Sequence, residues 1–154
     1  MFATPKSLFR VLAFAEAVTW TLLITGLILR ATIGLDVAVS IGGGIHGFVF
    51  LTYGATAVLL TVNQRWNVGT AVLTIGSAII PYATIPVELW LARSGRLAGE
   101  WRTEASDHPR DAGWVDRAMR WFLKHPYILL ALIAAAVVLL FVVLLIIGPP
   151  GGSK

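Results

Sequence analysis

The chain has 154 residues, of which 57% are hydrophobic and only 13% are charged, and its mean hydropathy is +0.81. A soluble domain carries about 25% charged residues, so this composition excludes an ordinary water-soluble domain and indicates a small membrane protein. Cysteine is absent, which excludes disulfides and thiolate chemistry. The net charge is +4, but the basic residues flank apolar runs, so we expect them to face anionic lipid headgroups and not nucleic acid.

Four apolar segments are each long enough to cross a bilayer, because about 20 helical residues span its hydrocarbon core. We therefore predict an all-α bundle of four transmembrane helices at about 8–29, 37–62, 68–92 and 127–148. The first segment follows basic residues as a signal peptide would, but its length and Glu16 favour a retained helix. Pro81 and Pro86 interrupt the third segment and are typical of a kink near a helix end.

A polar segment, residues 94–126, separates the third and fourth predicted helices. Its first part mixes both charge signs with Gly, Ser and Pro and indicates a loop. We interpret Glu104, Asp107, His108 and Asp111 as a solvated charge cluster. Residues 113–125 have apolar side chains at helical spacing and basic ones opposite, which predicts a short interfacial amphipathic helix. The alternative is the polar end of a longer helix. The predicted units are thus a membrane core (1–93), this polar segment, and a last helix with a short tail (127–154).

The distribution of Lys and Arg gives a prediction of orientation. With four spans, eight basic residues lie on the side of the 93–125 loop and four on the side of both termini. The positive-inside rule then places the loop in the cytoplasm. The basic flank of the first helix favours the reverse orientation.

Ionisable residues within the spans are the candidate functional groups, because each costs at least about 2.5 kcal/mol to insert. These are Glu16, His46 and Glu88, and we add Arg10 and Thr84 as further candidate polar residues. The helical rise separates His46 from Glu88 by about 7 Å, and from Glu16 by about 11 Å, along the membrane normal. We therefore expect His46 and Glu88 to be within side-chain reach, whereas Glu16 would need a water or a tilted helix.

The third segment also has a polar stripe, since residues spaced by three or four share one helical face. Its members are Thr70, Thr74, Ser77, Pro81, Thr84 and Glu88. A polar stripe does not favourably face lipid, so we expect it to face the interior of the bundle.

Glycines concentrate around His46 in the second segment. Gly42, Gly43, Gly44 and Gly47 offer a flat surface, with a G-x-x-x-G spacing between the second and the last, on which another helix can pack. We prefer the interpretation of His46 as an interhelical hydrogen-bonding group at this packing surface; a proton- or ligand-binding role is the alternative.

The sequence contains no nucleophile–base arrangement, phosphate-binding glycine loop or zinc-protease motif. With one histidine inside the membrane, haem ligation by two histidines is also disfavoured. We therefore expect no enzymatic activity, no cofactor and no metal site.

Four stretches resemble the YdzA-like small integral membrane proteins, known as domain of unknown function 3817. They are RVLAFAEAVTW, GGGIHGFVF, QRWN and IPYATIPVE, and the resemblance covers about residues 7–93. By this resemblance, the positions of the family pattern are Arg10, Glu16, His46, Gly47, Arg65, Trp66 and Pro81. The family supplies no activity, and it implies a cytoplasmic N-terminus, in conflict with the charge count above.

The leading functional prediction is a multi-pass protein of the bacterial plasma membrane that is not an enzyme. It would associate with itself or serve as an accessory subunit of a membrane complex. The alternative is a proton-linked carrier of small solutes or ions that uses Glu16, His46 and Glu88. Four helices are few for such a carrier, so the alternative implies a homo-oligomer.

Overall fold

The computed structural model of the protein describes residues 4–147, and this range is helical with no β-strand. The helices are α1 (Pro5–Ile33), α2 (Asp36–Asn63), α3 (Val68–Gly76), α4 (Thr84–Arg93), α5 (Trp114–Lys124) and α6 (Pro126–Ile147). Three of them are long and apolar enough to cross a membrane, namely α1, α2 and, over Pro126–Val143, α6. The all-helical prediction is confirmed, and the prediction of four spans is confirmed for three.

Helices α1 and α2 form a closely packed antiparallel hairpin. A capping box between Thr4 and Ser7 starts α1, and Gly34 ends it in the left-handed conformation with φ 70°. Glycines keep the two helices close: a Cβ atom on Gly26 would lie 2.7 Å from the backbone oxygen of Ala38. No side chain fits between backbones at that separation, so the glycine is what permits the crossing.

The predicted third span is two short helices. After α3 comes a 3₁₀ turn at Ser77–Ile79, and α4 begins at Thr84. Pro81 has no N–H to continue a helix, and Tyr82 adopts a positive φ of 65°, so the chain reverses between them. The difference from the prediction is therefore a complete reversal of direction where a kink was expected.

The α3–α4 hairpin enters and leaves the bundle at the same end. Trp66 precedes the hairpin and Arg96 follows it. The indole N–H of Trp66 donates to the backbone oxygen of Arg96 at 2.9 Å. At its tip, Trp20 of α1 donates to the backbone oxygen of Ala78 at 3.2 Å. On the way back, Thr84 donates to the backbone oxygen of Ala13 at 3.1 Å. As the chain advances from Ala78 to Thr84, its partner on α1 changes from Trp20 to Ala13, which is nearer the start of α1. Helix α4 therefore runs antiparallel to α1.

Helix α5 occupies most of the range predicted for an interfacial helix. Its Trp114 and Trp121 are exposed, at 75% and 49%, as an interfacial location requires. In contrast to the predicted polar outer face, Asp116 and Arg120 are buried against the preceding loop. Helix α6 follows directly and packs on α2, with Phe141 beside Gly47.

A compact apolar core fills the end of the bundle at which the hairpin enters. The rings of Phe9 and Tyr53 have centroids 5.1 Å apart, and Trp66 packs edge-on against Phe9. Leu60 and Leu91 complete this cluster and are fully buried. It holds α1, α2 and α4 together and fixes the residues described next.

Candidate functional site

Glu16, Thr19 and His46 form a buried polar site between α1 and α2. Glu16 is fully buried, and Thr19 and His46 are 5% and 8% exposed. The Nδ1 atom of His46 lies 3.1 Å from the hydroxyl of Thr19 and 3.8 Å from Oε2 of Glu16. The site therefore joins a carboxyl group, a hydroxyl group and an imidazole from two membrane helices.

The hydroxyl of Thr19 has two hydrogen-bond partners and one proton to donate. It donates either to the backbone oxygen of Glu16, at 3.0 Å, and then accepts from Nδ1–H of His46, or it donates to Nδ1 itself, at 3.1 Å. The two arrangements correspond to the protonated and unprotonated forms of Nδ1, the nitrogen that lies near the Glu16 carboxyl group.

Aromatic rings enclose the imidazole. The centroid of the Trp20 ring lies 4.4 Å from that of His46, and the Phe50 ring lies 6.2 Å away. Trp20 is also the residue that bonds the tip of the α3–α4 hairpin, so His46 and the hairpin share one neighbour.

The register of the α1–α2 hairpin explains why His46 meets Glu16. Gly42 lies against Leu22, which offsets α2 along α1 and places His46 level with Thr19. The predicted separation of about 11 Å assumed that the middles of the two helices are level. The two helices are instead offset, and Nδ1 of His46 lies 3.8 Å from Oε2 of Glu16.

Glu88 and Arg10 pair with each other at the end of the bundle near the N-terminus. Nε of Arg10 donates to Oε1 of Glu88 at 3.0 Å, and the Glu88 side chain is 2% exposed. His46 and Glu88 were expected to lie within reach of each other. Instead, Glu88 pairs with Arg10, and His46 lies beside Glu16. Thr84, the other polar candidate, is fully buried and bonds the α1 backbone.

The four predicted packing glycines divide between two partners. Only Gly42 lies against a backbone, since a Cβ there would be 2.8 Å from the oxygen of Leu22. Gly43 contacts the side chain of Leu23, whereas Gly44 and Gly47 face the ring of Phe141 on α6. Gly43 and Gly47, the G-x-x-x-G pair, thus contact side chains of two different helices.

A second polar cluster, which the sequence did not reveal, lies where the hairpin enters the bundle. Asp111 is 4% exposed and accepts hydrogen bonds from Arg65 and, at 3.0 Å, from Arg102. Arg120 donates to its backbone oxygen at 2.6 Å. The cluster ties the 94–113 loop to the end of α2, so Asp111 is not part of a solvated charge cluster as predicted.

Two kinds of donor stabilise the ionised form of Asp111. The backbone N–H of Ser106 donates to its carboxylate at 2.7 Å, and the guanidinium of Arg65 donates to the other oxygen. These hydrogen bonds hold the pKa of Asp111 well below its usual range. The three arginines around Asp111 are distant from one another in sequence, so no local motif predicted the cluster.

In the part of the chain that the structure describes, no group of three or more His, Asp or Glu side chains could hold a metal ion. The helical bundle, its three long apolar helices and its buried polar residues define an integral membrane protein with several membrane helices. A family model, the domain of unknown function DUF3817, matches residues 6–93. The chain belongs to this family, as the resemblance indicated.

One curated relative is a protein of Streptomyces coelicolor named as the membrane protein SCO5905. It is 34% identical over 88 residues, which are 56% of this chain and 10% of that protein. The chain thus matches about a tenth of the length of its relative. No solved structure matches the chain.

Proposed function

We propose that this protein is a non-enzymatic membrane module that assembles with a second membrane-protein subunit in the bacterial plasma membrane. The observation that carries the proposal is the size of the Streptomyces relative, in which the matched segment is only 10% of the chain. There, the same kind of module is covalently joined to a much larger polypeptide. By analogy, we expect this module to act in contact with a larger membrane protein.

Helix α6 is the element best suited to make that contact. It lies outside the family match of residues 6–93. Only 6% of its most apolar 18-residue stretch is buried, compared with 22% for the corresponding stretch of α1 and 28% for that of α2. Its exposed side chains are uniformly apolar, for example Leu132 and Leu139. Such a surface suits packing against another membrane helix as well as lipid contact.

The test is native mass spectrometry of the affinity-tagged chain, purified from its bacterial host in mild detergent. We expect a complex that contains a stoichiometric second subunit, or a second copy of the chain. Leu139→Trp on α6 should lower the assembled fraction, whereas Val18→Trp, at a similarly exposed position on α1, should leave it unchanged. A monomer with lipid alone would contradict the proposal.

The proposed topology has three spans and a re-entrant hairpin. The ends of residues 68–93 meet through Trp66 and Arg96, and a hairpin of this length reaches about the middle of the bilayer and returns. Polar side chains of the hairpin, such as Thr74 and Thr84, are buried against the bundle, whereas apolar side chains at its tip, Ile79 and Ile80, are exposed. Apolar groups would therefore face the lipid.

This topology places nearly all the positive charge on one side. Ten of the twelve basic residues lie in the first two turns of α1 or between α2 and α6; Arg30 and Lys154 are the remaining two. The positive-inside rule then places the N-terminus, the 64–67 turn and the 94–125 loop in the cytoplasm. The conflict between the family orientation and the four-span charge count disappears.

A second candidate function, a proton-linked carrier, is favoured by one observation. Both carboxylate oxygens of Glu16 are buried without a hydrogen-bond partner, beside His46. Glu88, by contrast, is held by Arg10, so the carrier would depend on Glu16 and His46. Its test is solute-dependent proton uptake by proteoliposomes, which His46→Gln should abolish while the purified protein remains folded.

A further inference from the structure

Glu16 has an unusual environment for a carboxyl group in a folded protein. It is fully buried, and neither of its carboxylate oxygens accepts a hydrogen bond among the described residues. An ionised carboxylate in such surroundings would lose its hydration without compensation. The nearest basic atom is Nδ1 of His46, at 3.8 Å, which is beyond hydrogen-bond distance but within reach of a small side-chain movement.

No other cation is free to neutralise Glu16 among the groups that the structure places around it. On α1, Arg10 pairs with Glu88 of α4. On α2, the titratable neighbours are His46 and Tyr53, and the Tyr53 hydroxyl is engaged with Ser77 at 3.0 Å. Helices α3 and α6 carry no acidic or basic residue in their described ranges. A proton is the remaining means of neutralisation.

We propose that Glu16, Thr19 and His46 form a binding site for one exchangeable proton in the membrane interior. The proton is held either on the carboxyl group or on the imidazole, and its transfer leaves a carboxylate beside an imidazolium ion. Thr19 orients the imidazole through the hydrogen bond at 3.1 Å. The proposal concerns proton binding alone and holds whether or not the chain assembles with a partner or transports a solute.

The experiment uses the full-length chain in lipid nanodiscs and a hydrophobic carbodiimide as the probe. The reagent adds to a protonated carboxylic acid in an apolar environment and leaves a stable mass tag. We expect Glu16 to be tagged at mildly acidic pH and the tagging to be lost as the pH rises. Glu88 is the matched control, because it is equally buried but paired with Arg10, and it should stay untagged.

Two variants separate a shared proton from a carboxyl group that acts alone. His46→Gln should change the pH at which tagging of Glu16 is lost, whereas His125→Gln, outside the site, should not. Glu16→Gln should remove the pH-dependent carboxylic-acid band from the infrared difference spectrum. An untagged Glu16, equal tagging of Glu88, or a pH dependence unaffected by His46→Gln would overturn the proposal. None of these outcomes depends on the oligomeric state, so the assembly proposal stands or fails separately.

Discussion

Gly42 shows how one residue fixes the geometry of the candidate site. It brings α2 into backbone contact with Leu22 of α1. That contact sets the register in which Thr19 and Glu16 lie beside His46. A packing role for this glycine and a chemical role for His46 are therefore not alternatives, because the first positions the second.

We expect Gly42→Ala to destabilise the protein by about 1–3 kcal/mol, the usual cost of overpacking a tight contact. The added Cβ would lie 2.8 Å from the oxygen of Leu22, so the helices must separate. Thermal unfolding in detergent measures the effect. Gly54→Ala is the matched control in the same helix, where a Cβ meets nothing within 4 Å. Equal stability of the two variants would show that the close contact does not exist.

The sequence identified the unusual residues of the site but not their partners. Glu16, His46 and Glu88 were predictable, because ionisable side chains in apolar helices are rare. Which of them meet depends on the offset between α1 and α2, which is set by tertiary contacts. A shift of one helical turn, about 5.4 Å, is enough to exchange one partner for another.

The α3–α4 hairpin is the element that sequence analysis described least well. Five members of the predicted polar stripe are buried as expected, on both sides of the reversal, whereas Pro81 at the reversal is exposed. Ser77 and Thr84, for example, are both buried. A proline in a membrane helix can cause either a kink or a break, and here the partners of the turn, Trp20 and Thr21, come from α1. Those contacts are distant in sequence, so no local pattern reveals the reversal.

The Arg10–Glu88 pair should anchor α4 to α1. Arg10→Gln removes the cation and leaves Glu88 buried without its partner, so we expect a loss of about 1–3 kcal/mol in stability. Arg10→Gln/Glu88→Gln should recover part of that loss, because the uncompensated charge is gone. A double-mutant cycle of thermal unfolding measures the coupling. Additive effects of the two changes would contradict the anchoring role.

The 94–113 loop should depend on the ionised form of Asp111. Its folded-state pKa is depressed, so its stabilising contribution is fully present above about pH 3.9, the ordinary value, and is lost as the pH falls through the folded-state pKa. Between pH 5 and 8, about the physiological range, we therefore expect hydrogen exchange to show no pH-induced opening of the loop.

Asp111→Asn should raise hydrogen exchange throughout the loop at neutral pH, since Arg65, Arg102 and Arg120 lose their shared anion. Asp107→Asn is the control, because Asp107 is an exposed acidic residue of the same loop. Protection equal to that of the wild type in Asp111→Asn would mean that the arginines do not hold the loop.

In the proposed topology, the whole molecule combines three spans, a re-entrant hairpin and a folded loop on the side of the N-terminus. Composition alone predicted the membrane class, and hydropathy predicted three of the long helices correctly. In the proposed topology hydropathy overcounts by one, because residues 68–93 contain enough apolar residues for a span and hydropathy does not detect a reversal of chain direction. The proposed topology follows from the contacts between Trp66 and Arg96 and between Arg10 and Glu88.

Cysteine accessibility tests this topology most directly, because the chain contains no cysteine and each single-cysteine variant reports one position. Lys6→Cys and Ala98→Cys flank the predicted cytoplasmic face, and Thr32→Cys lies at the opposite end of α1. With a membrane-impermeant maleimide, we predict that Thr32→Cys reacts in intact cells, whereas Lys6→Cys and Ala98→Cys react only after permeabilisation. Labelling of Ala98→Cys in intact cells, with Lys6→Cys protected, would show that residues 68–93 cross the membrane and would contradict the account.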